Sequence, residues 1–225
     1  MGTGPEGLGL PAVGERQSLR EQVAQALRSA LVAGEMRPGV VYSAPVLAAQ
    51  FGVSATPVRE AMLDLAKEGL VEAVRNKGFR VSVMSERDLE EITELRRLIE
   101  VPTVARLADS GRAPDFQELR PLAQEIVAAA RRTDLLGYVN ADLRFHLELL
   151  ALSGNAHLVE VIRNLRGRAR LYGLKGLADR GLLADAAREH VEVLDALVRG
   201  DRQAAERIMT HHIEHMRGIW SSGPG

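Results

Sequence analysis

The sequence predicts a mostly α-helical chain in two unequal parts: a small helical unit closed by one β-hairpin, then an all-α bundle of about six helices. Three observations carry this. Apolar residues recur at spacings of three and four over most of the 225 residues. Alternation with a period of two is confined to LVEAV and GFRVSV, which flank Arg75-Asn76-Lys77-Gly78. All six histidines (His146, His157, His190, His211, His212 and His215) lie behind that hairpin, so the two parts carry different chemistry.

The opening MGTGPEGLGLPAVG is read as a disordered arm over residues 1–15, since it has neither a basic start nor an apolar stretch. From Ser18 to Ala33, Leu19, Val23, Ala26, Leu27, Ala30 and Leu31 make one apolar stripe, and Gly34 and Pro38 stop the helix. A short helix from about Ala44 to Phe51 ends at Gly52, and another from about Ala55 to Lys67 ends at Gly69. Two short helices around a glycine turn form a helix-turn-helix candidate. The hairpin behind them, with Asn76 and Gly78 suited to positive φ, reads as a wing, so residues 16–83 are expected to be one winged unit.

A linker over 84–86 leads into the second part, 87–218, which leaves a tail at 219–225. Ser85 with Asp88 three residues later resembles a capping signal, and Leu89, Ile92, Leu95, Leu98 and Ile99 form the stripe behind it. Further helices are expected at about 115–132, 134–153, 156–175, 183–199 and 201–218, separated at Gly111 to Pro114, Gly154, Gly181 and Gly200.

Composition narrows the function classes. There is no cysteine, which removes thiolate metal sites, disulfides and cysteine nucleophiles. No apolar run approaches the roughly 20 residues that span a bilayer, so a cytoplasmic protein without a membrane partner is expected. The formal net charge is −1, with nine Lys and Arg against eight Asp and Glu in residues 1–85 and twenty against twenty-two in the rest. Any nucleic-acid face must therefore be a small local patch.

Such a patch is expected in VSATPVREAM. Proline is tolerated in the first helical turn, so Pro57 marks a helix start, with Thr56 or Ser54 as the non-helical cap. Free N–H groups at the helix mouth suit a phosphate oxygen, and Arg59, one turn inside, can reach guanine in a major groove. Arg75, Lys77 and Arg80 of the hairpin extend the patch.

The strings ALRSALVAGEMRPG, LAAQFGVSATPVREAMLDLAKEGLV and RNKGFRV closely resemble the winged-helix domain of GntR-family bacterial transcription regulators, over roughly residues 17–83. The resemblance implies binding to double-stranded operator DNA through Ser54, Thr56, Arg59, Lys77 and Gly78, and Arg75 is added from the wing. Two positions depart from the family. Ala55 stands where an arginine is usual, and Ala44 where a glutamate is usual, which implies an altered or relaxed operator sequence.

In the second part, Asp142 and His146 are four apart and share a helix face. Such a pair forms either a surface hydrogen bond or half of a metal site. Joined by imidazoles of His190 and the MTHHIEHM segment, it would hold Zn²⁺, Ni²⁺ or Mn²⁺ with positions left open. Here ELRRLIE, NADLRFHLELLALSGNAHL, REHVEVLDAL and IMTHHIEHM resemble, in order, the FCD effector domain of the FadR subfamily. That resemblance implies a divalent metal, zinc first, on Asp142, His146, His190 and His212, with His211 and His215 as rivals for the last place. It also implies a small carboxylate effector beside the metal, helped by Arg96, whose other reading is a surface pair with Glu100 at i, i+4.

The combined expectation is a homodimeric, ligand-responsive regulator, a repressor, and not an enzyme. The alternative is a helical-bundle metalloenzyme with an accessory nucleic-acid module, in which Glu189 beside His190 would serve as general base. Against it, the chain has no Gly-rich phosphate loop, no Gly-x-Ser-x-Gly elbow and no His-Glu-x-x-His signature.

Overall fold

Ser18 accepts a hydrogen bond from the Glu21 backbone while the Glu21 carboxylate accepts one from the Ser18 N–H, and on this reciprocal cap α1 (Leu19–Val32) begins. The computed structural model describes residues 18–111, 113–169 and 174–220, without the side chains of 114, 168, 169, 175–177 and 215–220. The arm expected over 1–15 and the last five residues of the expected tail lie outside the described residues.

α2 (Ala44–Phe51) and α3 (Ala55–Lys67) follow, separated by Gly52 at φ 67, a left-handed conformation that glycine adopts without a Cβ penalty. Ser54 is the α3 N-cap, Thr56 is already helical, and the Ser54 side chain makes no cap hydrogen bond. The hairpin forms as β2 (Val71–Val74) and β3 (Gly78–Val81), turning through Asn76 at φ 59. A third strand, β1 (Val41–Tyr42), pairs antiparallel with β3 and gives the order β1-β3-β2. It was not expected, because two residues are too short to show alternation. Leu27, Val58, Met62, Leu65 and Phe79 close the core of this unit.

α4 (Glu86–Ala108) starts on a second reciprocal cap between Ser85 and Asp88. The bundle continues with α5 (Ala113–Glu118), α6 (Arg120–Arg131), α7 (Leu135–Ala151), α8 (Ala156–Ala169), α9 (Leu174–Asp179), α10 (Leu183–Val198) and α11 (Arg202–Trp220). Six of these are long and two are six-residue segments. The single helix expected at 115–132 is divided at Leu119, because Pro121 has no N–H and is accommodated only in a first turn. Of the helix expected at 156–175, residues 156–169 form α8 and 174–175 belong to α9, and 170–173 lie outside the described residues. Val104, Ile126, Phe145, Leu149, Leu194 and Ile213 have no solvent exposure and form the bundle core, and α1 adds Val32 to the same cluster. Among the described residues, no helix is long and apolar enough to cross a membrane.

Candidate metal centre and nucleic-acid face

α7 runs through the bundle with Tyr138, Asp142 and His146 spaced one turn apart, α10 contributes His190 and α11 contributes His212. One ligand atom from each of Asp142, His146, His190 and His212 lies within 4.8 Å of the others. His146 Nε2 stands 3.2 Å from His212 Nε2, and His190 Nε2 stands 3.0 Å from Asp142 Oδ1. Phe145, fully buried, meets the His146 and His190 rings edge-on at 5.4 and 5.1 Å. His211 points outward with its side chain 69% exposed, whereas the His212 side chain is 4% exposed. The side chain of His215 lies outside the described residues.

The outer nitrogens set the chemistry of the inner ones. His212 Nδ1 donates to Glu189 Oε2 at 2.8 Å, and His190 Nδ1 donates to the Ala187 carbonyl at 3.2 Å, since neither partner oxygen can donate. His146 Nδ1 faces Glu100 Oε2 at 3.4 Å. With protons held on Nδ1 of His190 and His212, their Nε2 lone pairs converge with Asp142 and with Nε2 of His146, whose own Nδ1 makes no hydrogen bond. Three imidazoles and a carboxylate, one ligand atom from each within 4.8 Å of the others, form a nitrogen-rich set that fits a divalent metal ion. Protons do not substitute readily: burial pushes His212 down to about 4, and burial with the nearby Arg166 charge holds His146 well below the ordinary imidazole range.

A buried ion network supports this cluster. Arg96 Nε donates to Glu100 Oε1 at 2.8 Å, and Arg166 on α8 reaches Glu100 Oε2 at 2.6 Å and Asp142 Oδ2 at 3.1 Å. Burial alone would raise the Glu100 carboxyl, but Arg166 and Arg96, with His146, hold it well below the usual carboxylate range. Burial likewise opposes the charge on Asp142, and His146, His190 and Arg166 outweigh it. The Arg96–Glu100 pair is therefore real but not a surface pair, because the two residues are 3% and 0% exposed. Arg166 escaped the sequence reading because its partner Glu100 is 66 residues away and no local spacing marks the contact. Glu189 was noticed only for its place beside His190; the structure makes it the acceptor for His212 and, at 3.0 Å, a partner of His211.

In the front unit, Ser54, Thr56 and Arg59 are exposed at the start of α3, and Arg75 and Lys77 are exposed at the wing turn. Arg80 is tied to Glu72 across the hairpin at 2.8 Å. Gly78 has a packing reason of its own: at φ +131, a Cβ there would stand 2.3 Å from the Tyr42 carbonyl oxygen, so β1 can approach only a glycine.

The FCD domain family matches residues 91–215, and the bacterial regulatory proteins of the gntR family match residues 19–81. The chain belongs to the GntR family. Its architecture, a winged helix-turn-helix followed by an FCD domain, is that of the FadR subfamily. A Paenarthrobacter nicotinovorans protein named "Probable D-xylose utilization operon transcriptional repressor" is 30% identical to this GntR regulator over 88% of the chain and 87% of its own length. The Escherichia coli HTH-type transcriptional repressor RspR is 26% identical over 89% of the chain and 88% of its own length. Escherichia coli McbR/YncC superposes with a TM-score of 0.69 at 27% identity, covering 92% of the chain and 98% of that structure. A Rhodococcus GntR-type regulator gives 0.67 at 28%, covering 92% and 99%. These relatives are DNA-binding transcription regulators and not enzymes, so the metalloenzyme alternative falls.

Proposed function

We propose that this GntR regulator is a homodimeric repressor whose grip on operator DNA is set by a small carboxylate bound at a divalent-metal centre on Asp142, His146, His190 and His212. The observation that carries this is the convergence of four potential ligand atoms in a bundle interior, beside a buried arginine, behind a winged helix. Zinc fits a nitrogen-rich set of this kind best, with nickel and manganese as alternatives. A bound metal supplies positive charge and open positions for oxygen ligands. Arg96 orients the carboxylate, Arg166 holds Glu100 and Asp142 in place, and Glu189 aims His212.

Ser54, Thr56 and Arg59 meet the major groove, while Arg75, Lys77 and Gly78 follow the backbone beside it. Two-fold operators call for two reading heads, which supports a homodimer. The repressor sign is supported by the two relatives named as repressors. The effector binds two arrangements of the dimer unequally and favours release; a 100-fold loss of operator affinity requires about 2.7 kcal/mol of differential binding.

The test measures metal content after purification without chelators, then operator binding with and without chelator and carboxylates. One metal ion per chain and a ligand-dependent release are expected. A metal-free protein, or operator binding indifferent to every metal and carboxylate, would overturn the reading.

A further inference from the structure

The helix that carries Ser54, Thr56 and Arg59 is held by its opposite end. Glu68, the C-cap of α3, accepts hydrogen bonds from Arg28 of α1 at both carboxylate oxygens, at 2.5 and 3.3 Å. The Gly69 carbonyl behind it accepts from the Ser82 hydroxyl at 2.8 Å, and the Ser82 N–H donates to the Leu70 carbonyl at 3.0 Å. Ser82 opens the segment that joins β3 to the Ser85 cap of α4, so the connection between the two units is tied to that same end.

The bundle meets this end at two further points. One turn after Arg28, consecutive residues of α1 enter different cores: Leu31 packs in the winged unit and Val32 in the bundle, where α1 lies against α7. α8 comes against the α3 C-cap at Gly167, where a Cβ would stand 3.9 Å from the Glu68 carbonyl oxygen. That is ordinary contact distance for a methyl group. A β-branched side chain there carries two γ carbons with little rotational choice, so it must press on the cap. Arg166, the preceding residue, donates to Glu100 at 2.6 Å and to Asp142 at 3.1 Å, which anchors the α8 backbone from the bundle interior.

Length turns this seat into a lever. α3 has 13 residues, about 20 Å of helix, between the seat and the groove-facing mouth. A tilt of about 10° at Glu68 moves that mouth by about 3.5 Å, close to the rise of one base pair, ~3.4 Å. In a dimer both mouths move, so the angle at the seat sets which separation of half-sites can be read at once.

We infer that Val32, Glu68 and Gly167 form a seat that fixes the angle of α3 on the bundle and so selects the half-site spacing of the operator, with Gly167 as the positioning residue. The inference rests on the dimeric DNA-binding reading and adds to it the contact that determines spacing.

The test uses the full chain and an operator that it selects from random duplex DNA. That duplex is compared with versions lengthened by one and two base pairs between the half-sites, and with a lone half-site. Fluorescence anisotropy reads each affinity. The unaltered chain should lose about tenfold or more on the lengthened duplexes, since each added pair also turns one half-site by about 35°. Gly167→Ile should bind the original spacing about tenfold more weakly and prefer a different spacing or none, with lone half-site affinity, metal content and dimer mass unchanged. Gly167→Ala should keep the profile of the unaltered chain, because its methyl group fits. Val32→Ala, which loosens the seat from the bundle side, should flatten the profile, and it decides the matter if Gly167→Ile does not fold. The inference is overturned if these folded variants keep the original spacing profile, or if they lose affinity equally for the lone half-site. An unaltered chain that is monomeric or indifferent to spacing would defeat the dimeric reading itself.

Discussion

The front unit and the bundle use the same charged residue types to opposite ends. In the winged unit, Arg28–Glu68 and Arg80–Glu72 pair across neighbouring elements at the surface, with side chains 23 to 59% exposed. Water competes for each partner, so these pairs contribute little to stability, and exposed Arg59, Arg75 and Lys77 are the cations proposed for the DNA face. In the bundle, Arg96, Glu100 and Arg166 are at most 5% exposed, and each charge depends on the others because water cannot replace a lost partner. The contrast teaches that solvent, more than residue identity, decides whether an arginine is a mobile contact for a polyanion or a fixed strut.

The sharpest way to break that contrast is Glu100→Ala, which leaves two buried guanidinium groups facing each other. A loss of about 3–5 kcal/mol is expected in urea unfolding of the bundle. If the change were near zero, the network would have to be solvated. Next comes acid. His212 has an ordinary value near 6.5 in the unfolded chain and about 4 when buried, so the unfolded chain takes the proton first as pH falls. In chelator-treated protein, the contribution is intact above about 6.5 and is lost progressively down to about 4, amounting to about 3 kcal/mol. Unfolding curves at pH 7 and 4.5 measure this together with the contribution of His146, which is shifted the same way, and His212→Gln should reduce the difference without abolishing it.

On the exposed side, Arg59→Ala should cost about 1–3 kcal/mol of operator affinity without changing the unfolding midpoint, as anisotropy and urea titration on one sample would show. Lys77→Ala should weaken operator and random DNA alike and reduce the salt slope by about one. The smallest effect belongs to the exposed pair: Glu72→Ala should move stability by no more than about 1 kcal/mol, and a larger loss would erase the distinction between the two regions.

Much of this was legible from local pattern. Gly52, Pro57, Asn76 and the Ser85–Asp88 cap mark their elements because each acts within one turn of chain. Asp142 and His146 share a face for the same reason, and order along the chain pointed to His190 and His212 through family resemblance. Other features left no local trace. β1 is too short for a pattern, and the division at Leu119 depends on where Pro121 falls within a turn. Arg166 meets Glu100 only through the packing of α8 on α4.

The sequence by itself determined most of the sites where helices begin and stop, the place of the wing, and which side chains were chemically able to bind a metal or a phosphate. Those are properties of spacing and side-chain type, set within a few residues. Tertiary structure alone decided which nitrogen of each histidine faces inward, that Arg96 is an interior group, and that Glu100, Arg166 and Glu189 orient the cluster. Those outcomes depend on dielectric surroundings and on hydrogen bonds between helices distant in sequence, and such contacts exist only once the bundle has packed.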